Sequence, residues 1–173
     1  MNTINVLEPC HAIGRTSLGW AFIAIGPRGI RAAEFTDLET RETLEPWGAF
    51  AKAADPALAK RFTSLIDDWV EDGSEPSVDL DPIGTEFQMR VWDALRAIPR
   101  GETRSYAEIA RAIGSPDATR AVGAACGANP IALFIPCHRV VRSNGSLGGY
   151  RWGLDLKRSL LKRENALVPI PVS

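Results

Sequence analysis

No stretch of this sequence reaches the run of ~18 apolar residues that a membrane-spanning helix requires, and its N-terminus lacks a basic-then-apolar secretion signal. Membrane-embedded and exported classes are thereby set aside. Cysteine is scarce: Cys10, Cys126 and Cys137 are an odd number, which argues against a disulfide framework and for a reducing cytoplasm. Histidine is scarcer still, with only His11 and His138. Cys10-His11 therefore finds no further cysteine or histidine in its half of the chain to complete a set of zinc ligands, and it reads as structural or incidental. What remains is the composition of a globular protein, 45% hydrophobic and 24% charged. Its 173 residues suffice for one good core or for two small lobes.

A net charge of −1 conceals an asymmetry. Residues 1–85 carry 7 Lys+Arg against 14 Asp+Glu, and residues 86–173 carry 13 against 7. An acidic supporting lobe and a basic, arginine-rich lobe that meets a polyanion would produce this division, and so would arginines that merely solvate helix faces.

In the first half, residues 20–25 and 30–35 read as two strands joined by the turn Gly26-Pro27-Arg28-Gly29. Leu58, Phe62, Leu65, Ile66 and Trp69 recur at helical spacing, which predicts a helix over 57–70 packed on that sheet. Residues 71–82, acidic and holding Gly73, Pro76 and Pro82, read as a linker. Beyond it, Thr85-Glu86-Phe87-Gln88 is a capping box opening a helix whose apolar face is Phe87, Val91, Trp92 and Leu95. Ser105-Tyr106-Ala107-Glu108 is a second capping box, for a short helix stopped at Gly114. Ser115-Pro116 is then expected to start a third helix, with serine as cap and proline at the first position, running to about Cys126. The last two helices have the layout of a helix-turn-helix. The second is nearly bald, with Ala121, Gly123, Ala124 and Ala125 behind Arg120, and suits either tight packing or a narrow minor groove.

The remaining signal is Ile135-Pro136-Cys137-His138-Arg139-Val140-Val141. A nucleophilic cysteine acts as thiolate and needs a group to take its proton, for which His138 is the candidate. A buried structural cysteine beside a capped histidine would satisfy the dipeptide equally. Residues 139–142 read as a short strand, 143–150 as a glycine-rich loop, and 154–163 as a final helix with Leu156, Leu160 and Leu161 inward and a basic outer face. Glu164 ends that helix, where a carboxylate opposes the dipole and so calls for a specific partner.

These segments together resemble the O6-alkylguanine-DNA alkyltransferase family. The resemblance covers Gly84 to Glu164 and rests on Gly84-Thr85, Phe87-Gln88, Val91-Trp92, Ile98-Pro99, Ser105-Tyr106, Arg120-Ala121-Val122-Gly123, Asn129-Pro130 and the Cys137 motif. The loop Gly149-Tyr150-Arg151-Trp152-Gly153 most resembles the alkyltransferase half of the bacterial adaptive-response protein. That protein's cysteine-rich metal domain has no counterpart, which points to a stand-alone repair protein.

The resemblance implies an α/β N-terminal lobe of ribonuclease-H-like type, residues 1–82. It further implies a mostly helical C-terminal lobe with a helix-turn-helix of winged-helix type, residues 83–173. It implies that Cys137 takes the alkyl group from O6-alkylguanine, less readily from O4-alkylthymine, once and irreversibly, with His138 as base, Glu164 orienting it, Asn129 holding the turn and Tyr106 meeting the base. The DNA-facing set would be Arg120, Tyr106, Ser115, Ala121, Gly123, Ala124 and Ser143. The pocket would involve the backbone of Cys137, Val140 and Arg151, with Trp152 narrowing it and Ala132 standing where members that accept bulky groups carry proline. The expected partner is double-stranded DNA carrying O6-alkylguanine, met by a cytoplasmic monomer without metal, cofactor or membrane. A helix-turn-helix regulator and a non-enzymatic damage sensor are the rival readings.

Overall fold

Strand β1, Cys10–Thr16, opens an antiparallel meander with β2, Gly19–Gly26, and β3, Gly29–Thr36, in the order β1-β2-β3. The computed structural model describes residues 6–36, 53–54, 56–74 and 78–166. Central strand β2 is buried on both faces from Ala21 to Ile25, consistent with its unbroken apolar run. Helix α1, Pro56–Asp72, lies on the sheet through Phe62, Leu65, Ile66, Trp69 and Val70, at the spacing of one helix face. Leu58 is only half-buried. Of the expected linker, residues 75–77 lie outside the described residues. Its end returns to the sheet: Ile30 N–H donates to Asp79 O at 2.8 Å, and Asp81 accepts from Arg31 at 2.7 Å. Strand β1 is an addition to the two strands read from sequence, and it contains the Cys10-His11 pair.

By its internal contacts the chain forms two compact units, Met1–Ile83 with Pro130–Phe134, and Gly84–Asn129 with Ile135–Ser173. In the first unit Pro130–Phe134 runs along β3, with Ala33 N–H donating to Pro130 O (3.0 Å) and Ala132 N–H to Ala33 O (2.7 Å).

The second unit begins with α2, Glu86–Arg96, whose capping box is complete: Thr85 Oγ1 accepts from Gln88 N–H and Gln88 Oε1 accepts from Thr85 N–H. Such a cap contributes about 1 kcal/mol. The Trp92 indole donates to Ala125 O at 2.9 Å, which fastens α2 to α4, Thr119–Gly127. Between them, β4, Arg104–Ser105, leads directly into α3, Tyr106–Ala112, capped by Ser105 and Glu108 as the sequence suggests. Gly114 turns the chain with φ of +71°, a conformation suited to glycine.

Two expectations fail here for local reasons. Ser115-Pro116 does not start α4: Ala118 N–H donates to Ser115 O at 2.9 Å, so these residues form a turn with proline at its second position, and the helix begins at Thr119 behind Ala118 without a side-chain cap. The strand expected over 139–142 shrinks to β5, Val140–Val141, because Cys137–Arg139 coil into a 3-10 turn. β5 pairs in parallel with β4 (Arg104 with Val140, Ser105 with Val141), which sets the start of α3 beside the end of the cysteine turn. Helix α5, Leu154–Arg163, has the expected bounds and exposes Arg158, Lys162 and Arg163, while Lys157 is fully buried on its inner side with Leu160 and Leu161. Leu156 is half-buried. Among the described residues no helix is long and apolar enough to cross a membrane.

Candidate functional site

Cys137 opens the 3-10 turn, tightened by Cys137 N–H donating to Ile135 O (2.8 Å) and Arg139 N–H to Pro136 O (2.9 Å). Three residues per turn send successive side chains about 120° apart. Cys137 and His138 thus diverge, and each finds its own surroundings. Fully buried Asn129 donates from Nδ2 to Ile135 O at 2.8 Å and to the Cys137 sulfur at 3.2 Å, so one amide supports both the turn and the thiol. Burial pushes the Cys137 thiol above its ordinary value, and the Asn129 hydrogen bond, the Lys157 charge and the Arg151 charge pull in the opposite direction.

On the other side His138, also fully buried, has Nε2 2.9 Å from Glu164 Oε1. Arg139 closes on the same carboxylate as a fork, Nε to Oε2 at 2.9 Å and Nη2 to Oε1 at 3.0 Å, while its Nη1 donates to Ile98 O at 2.6 Å. Burial works to raise the Glu164 pKa, but the bonds from His138 and Arg139 prevail and hold it down at about 2. Burial lowers the His138 pKa against the pull of Glu164. The pair is accordingly a neutral imidazole donating from Nε2–H to a carboxylate whose charge Arg139 balances. Nδ1 then carries the acceptor lone pair.

The sulfur lies on a cavity of about 480 Å³, within the range of small-molecule sites. One wall is a face of α4, with Thr119, Arg120, Gly123, Cys126 and Gly127. The others are Tyr106 at the start of α3, Arg142, and the loop residues Gly149, Tyr150 and Arg151. Burial, reinforced by the nearby sulfurs of Cys126 and Cys137, pushes the Tyr106 hydroxyl up to about 12, so it stays protonated and able to donate. The loop fits closely around it: Gly148 has φ of +68°, and a Cβ there would stand 2.8 Å from the Tyr106 hydroxyl oxygen.

Asn129 with Cys137 and His138 with Glu164 thus form two buried hydrogen-bonded pairs on either side of the turn, and Tyr106, Arg120, Gly123 and Arg151 line the cavity together with Cys137. Other expected pocket residues lie elsewhere. Val140 is buried and its carbonyl accepts from Lys157 Nζ at 2.6 Å. Trp152 is not among the lining residues; its ring meets Tyr150 at 5.2 Å and the Arg151 guanidinium at 5.6 Å, both of which are. Ala132 is buried in the first unit. Of the expected DNA-facing set, Ala121, Ala124 and Ser143 are exposed and Ser115 half-buried, and none lines this cavity. Ser143 borders another, smaller hollow with Arg111 and Arg142.

Sequence reasoning missed Arg139, Lys157, Cys126, Arg142 and Tyr150. The α4 residues were within reach of a helical-spacing argument, since 119, 120, 123, 126 and 127 share one face. Among the described residues no group of three His, Cys, Asp or Glu could hold a metal ion.

Comparison with known proteins bears on the same region. The family model described as "6-O-methylguanine DNA methyltransferase, DNA binding domain" matches residues 86–166. A methylated-DNA--protein-cysteine methyltransferase of Mycobacterium bovis is 49% identical over 130 residues, 75% of this chain and 73% of that protein. The bifunctional transcriptional activator/DNA repair enzyme Ada of Escherichia coli is 42% identical over 89% of this chain, which spans only 45% of that protein's length. In three dimensions the chain is similar to Mycobacterium tuberculosis OGT solved in complex with DNA, with a TM-score of 0.76 and 37% identity over 90% of this chain and 92% of that one.

Proposed function

The chain belongs to the O6-methylguanine DNA methyltransferase family, and on that premise we infer that it repairs double-stranded DNA by moving the alkyl group of O6-alkylguanine, less readily of O4-alkylthymine, onto Cys137. The observation that carries this reading is the Cys137 sulfur on a cavity of about 480 Å³ with the His138–Glu164–Arg139 network behind it. A target oxygen inside a duplex is out of reach, so the nucleotide swings out into the cavity. The smooth face of α4 lies in the minor groove, and Arg120 enters the gap left in the stack. Residues 83–173, apart from the Pro130–Phe134 segment that packs in the first unit, form the DNA-binding and acceptor lobe in this reading, residues 1–82 the supporting lobe, and the protein acts as a monomer.

Neutral His138 takes the proton of Cys137 through one bridging water, and Glu164, fixed by Arg139, stabilises the imidazolium that results. The thiolate attacks the methyl carbon in line. The S–C bond forms as the C–O6 bond breaks, and its electron pair passes to the guanine, which takes up a proton with help from the Tyr106 hydroxyl. Because the product is a thioether that water does not cleave, each molecule reacts once. Incubation with a duplex carrying O6-methylguanine should raise the intact mass by one methylene, located at Cys137, and stop at one equivalent. An unchanged mass or repeated cycling would overturn the reading.

A further inference from the structure

Lys157 has no place in that scheme, yet it is the least expected side chain of the second unit. The other charged residues of α5, namely Asp155, Arg158, Lys162 and Arg163, are exposed, whereas Lys157 is 0% exposed. An ammonium has three donors. Here all three go to main-chain carbonyls: Val140 O at 2.6 Å, Leu147 O at 2.5 Å and Gly149 O at 3.2 Å. Val140 directly follows the turn that carries Cys137, while Gly149 and the two residues after it line the cavity. One side chain therefore ties together the two ends of loop 140–149.

Three carbonyls provide dipoles but no counter-charge, and burying a cation on such terms is costly. Burial accordingly pulls the Lys157 pKa down to about 8, opposed by the sulfurs of Cys137 and Cys126. The titratable groups that feel this charge are Cys137 on the turn, Cys126 on α4 and His138, whose protonated form it disfavours. The anion that would match it is the one formed during transfer.

We propose that Lys157 is a positioning residue for alkyl transfer, holding the cavity wall by joining Val140 to Leu147 and Gly149 and serving as counter-cation to the Cys137 thiolate. The proposal rests on the function inferred above for its transfer step, while its claim on the thiol stands by itself. Lys157→Met keeps most of the side chain's apolar length and removes charge and donors. Ionisation of Cys137 is read without DNA, from the pH dependence of its alkylation by iodoacetamide, followed by peptide mass. The midpoint should rise by roughly one unit, equivalent to about tenfold less thiolate near neutrality. Single-turnover transfer from O6-methylguanine duplex should slow by at least about that factor, with the DNA dissociation constant unchanged. A wild-type midpoint in Lys157→Met would overturn the proposal. Should that variant not fold, Lys157→Arg decides: a wild-type midpoint with slower transfer, because a planar fork cannot reach three convergent carbonyls, supports the proposal, and a raised midpoint overturns it. If wild-type protein accepts no methyl group the functional reading fails, and the iodoacetamide profile still tests Lys157.

Discussion

Cys-His occurs twice in this chain, at 10–11 and at 137–138, and both pairs are buried. The first pair sits in β1, opposite Ile25 and Ala24 of β2, where alternation sends neighbouring side chains to opposite faces of the sheet, and the His11 ring stacks on Phe22 at 5.9 Å. The second sits on a 3-10 turn. Its sulfur has an amide at 3.2 Å and a cavity in front, and its imidazole is held by a carboxylate that is itself held by arginine. Strand alternation in the first pair and the 3-10 turn in the second each send thiol and imidazole in different directions. In the proposed reaction the two members at 137–138 differ from the first pair by what converges on each separately, which the dipeptide alone could not reveal.

Exchanging cysteine is the strongest way to break that comparison. Cys137→Ala should abolish methyl uptake, and Cys10→Ala should leave uptake at one equivalent, both measured by intact mass. Loss of uptake in Cys10→Ala would make the two pairs functionally alike. At the imidazoles, His138→Gln or Glu164→Gln should slow single-turnover transfer by roughly 10²–10⁴-fold with DNA binding retained, whereas His11→Gln should leave the rate alone.

Stability sharpens the contrast further. Arg139→Met leaves the Glu164 charge buried without its fork and should cost about 3–5 kcal/mol in a urea titration. Because the folded Glu164 pKa is depressed to about 2, its contribution to stability is complete above the ordinary value of 4.5 and is lost as pH falls toward 2. Unfolding titrations across that window should show wild type losing stability more steeply than Arg139→Met. The smallest effect belongs to Trp152, which borders the lining residues Arg151 and Tyr150, the latter edge-on to His138 at 6.5 Å. Trp152→Ala should change the rate with O6-benzylguanine by no more than about tenfold, the worth of one aromatic pair at about 0.5–1.5 kcal/mol.

Much of the second unit was legible because its signals are local. Each capping box is read from four residues, and α5 is bracketed by Gly153 and Glu164. The objection to a carboxylate at the end of α5 correctly called for a partner, and His138 and Arg139 are the groups that meet it. Less was legible where a local rule admits two outcomes. Ser-Pro opens a helix or a turn with equal propriety, and only the Ala118–Ser115 hydrogen bond selects the turn. Lys157 was missed because a lysine on an amphipathic helix is normally solvated. Spacing nevertheless pointed inward, since 157, 160, 161 and 164 lie on one face with two leucines and the buried glutamate. Pocket membership was the least legible, because Trp152 and Tyr150 are equally aromatic and two apart, and the loop conformation alone decides which ring reaches the cavity.

Gly148 and Gly149 look interchangeable on paper, but they give an engineer opposite freedoms. A side chain at 148 would run into the tyrosine hydroxyl from a backbone geometry that already disfavours it, so that seat is closed to redesign. At 149 nothing stands within 4 Å of a new Cβ, although the residue borders the same cavity. If the proposed function holds, a library meant to reshape the cavity should therefore be diversified at 149 and leave its neighbour untouched.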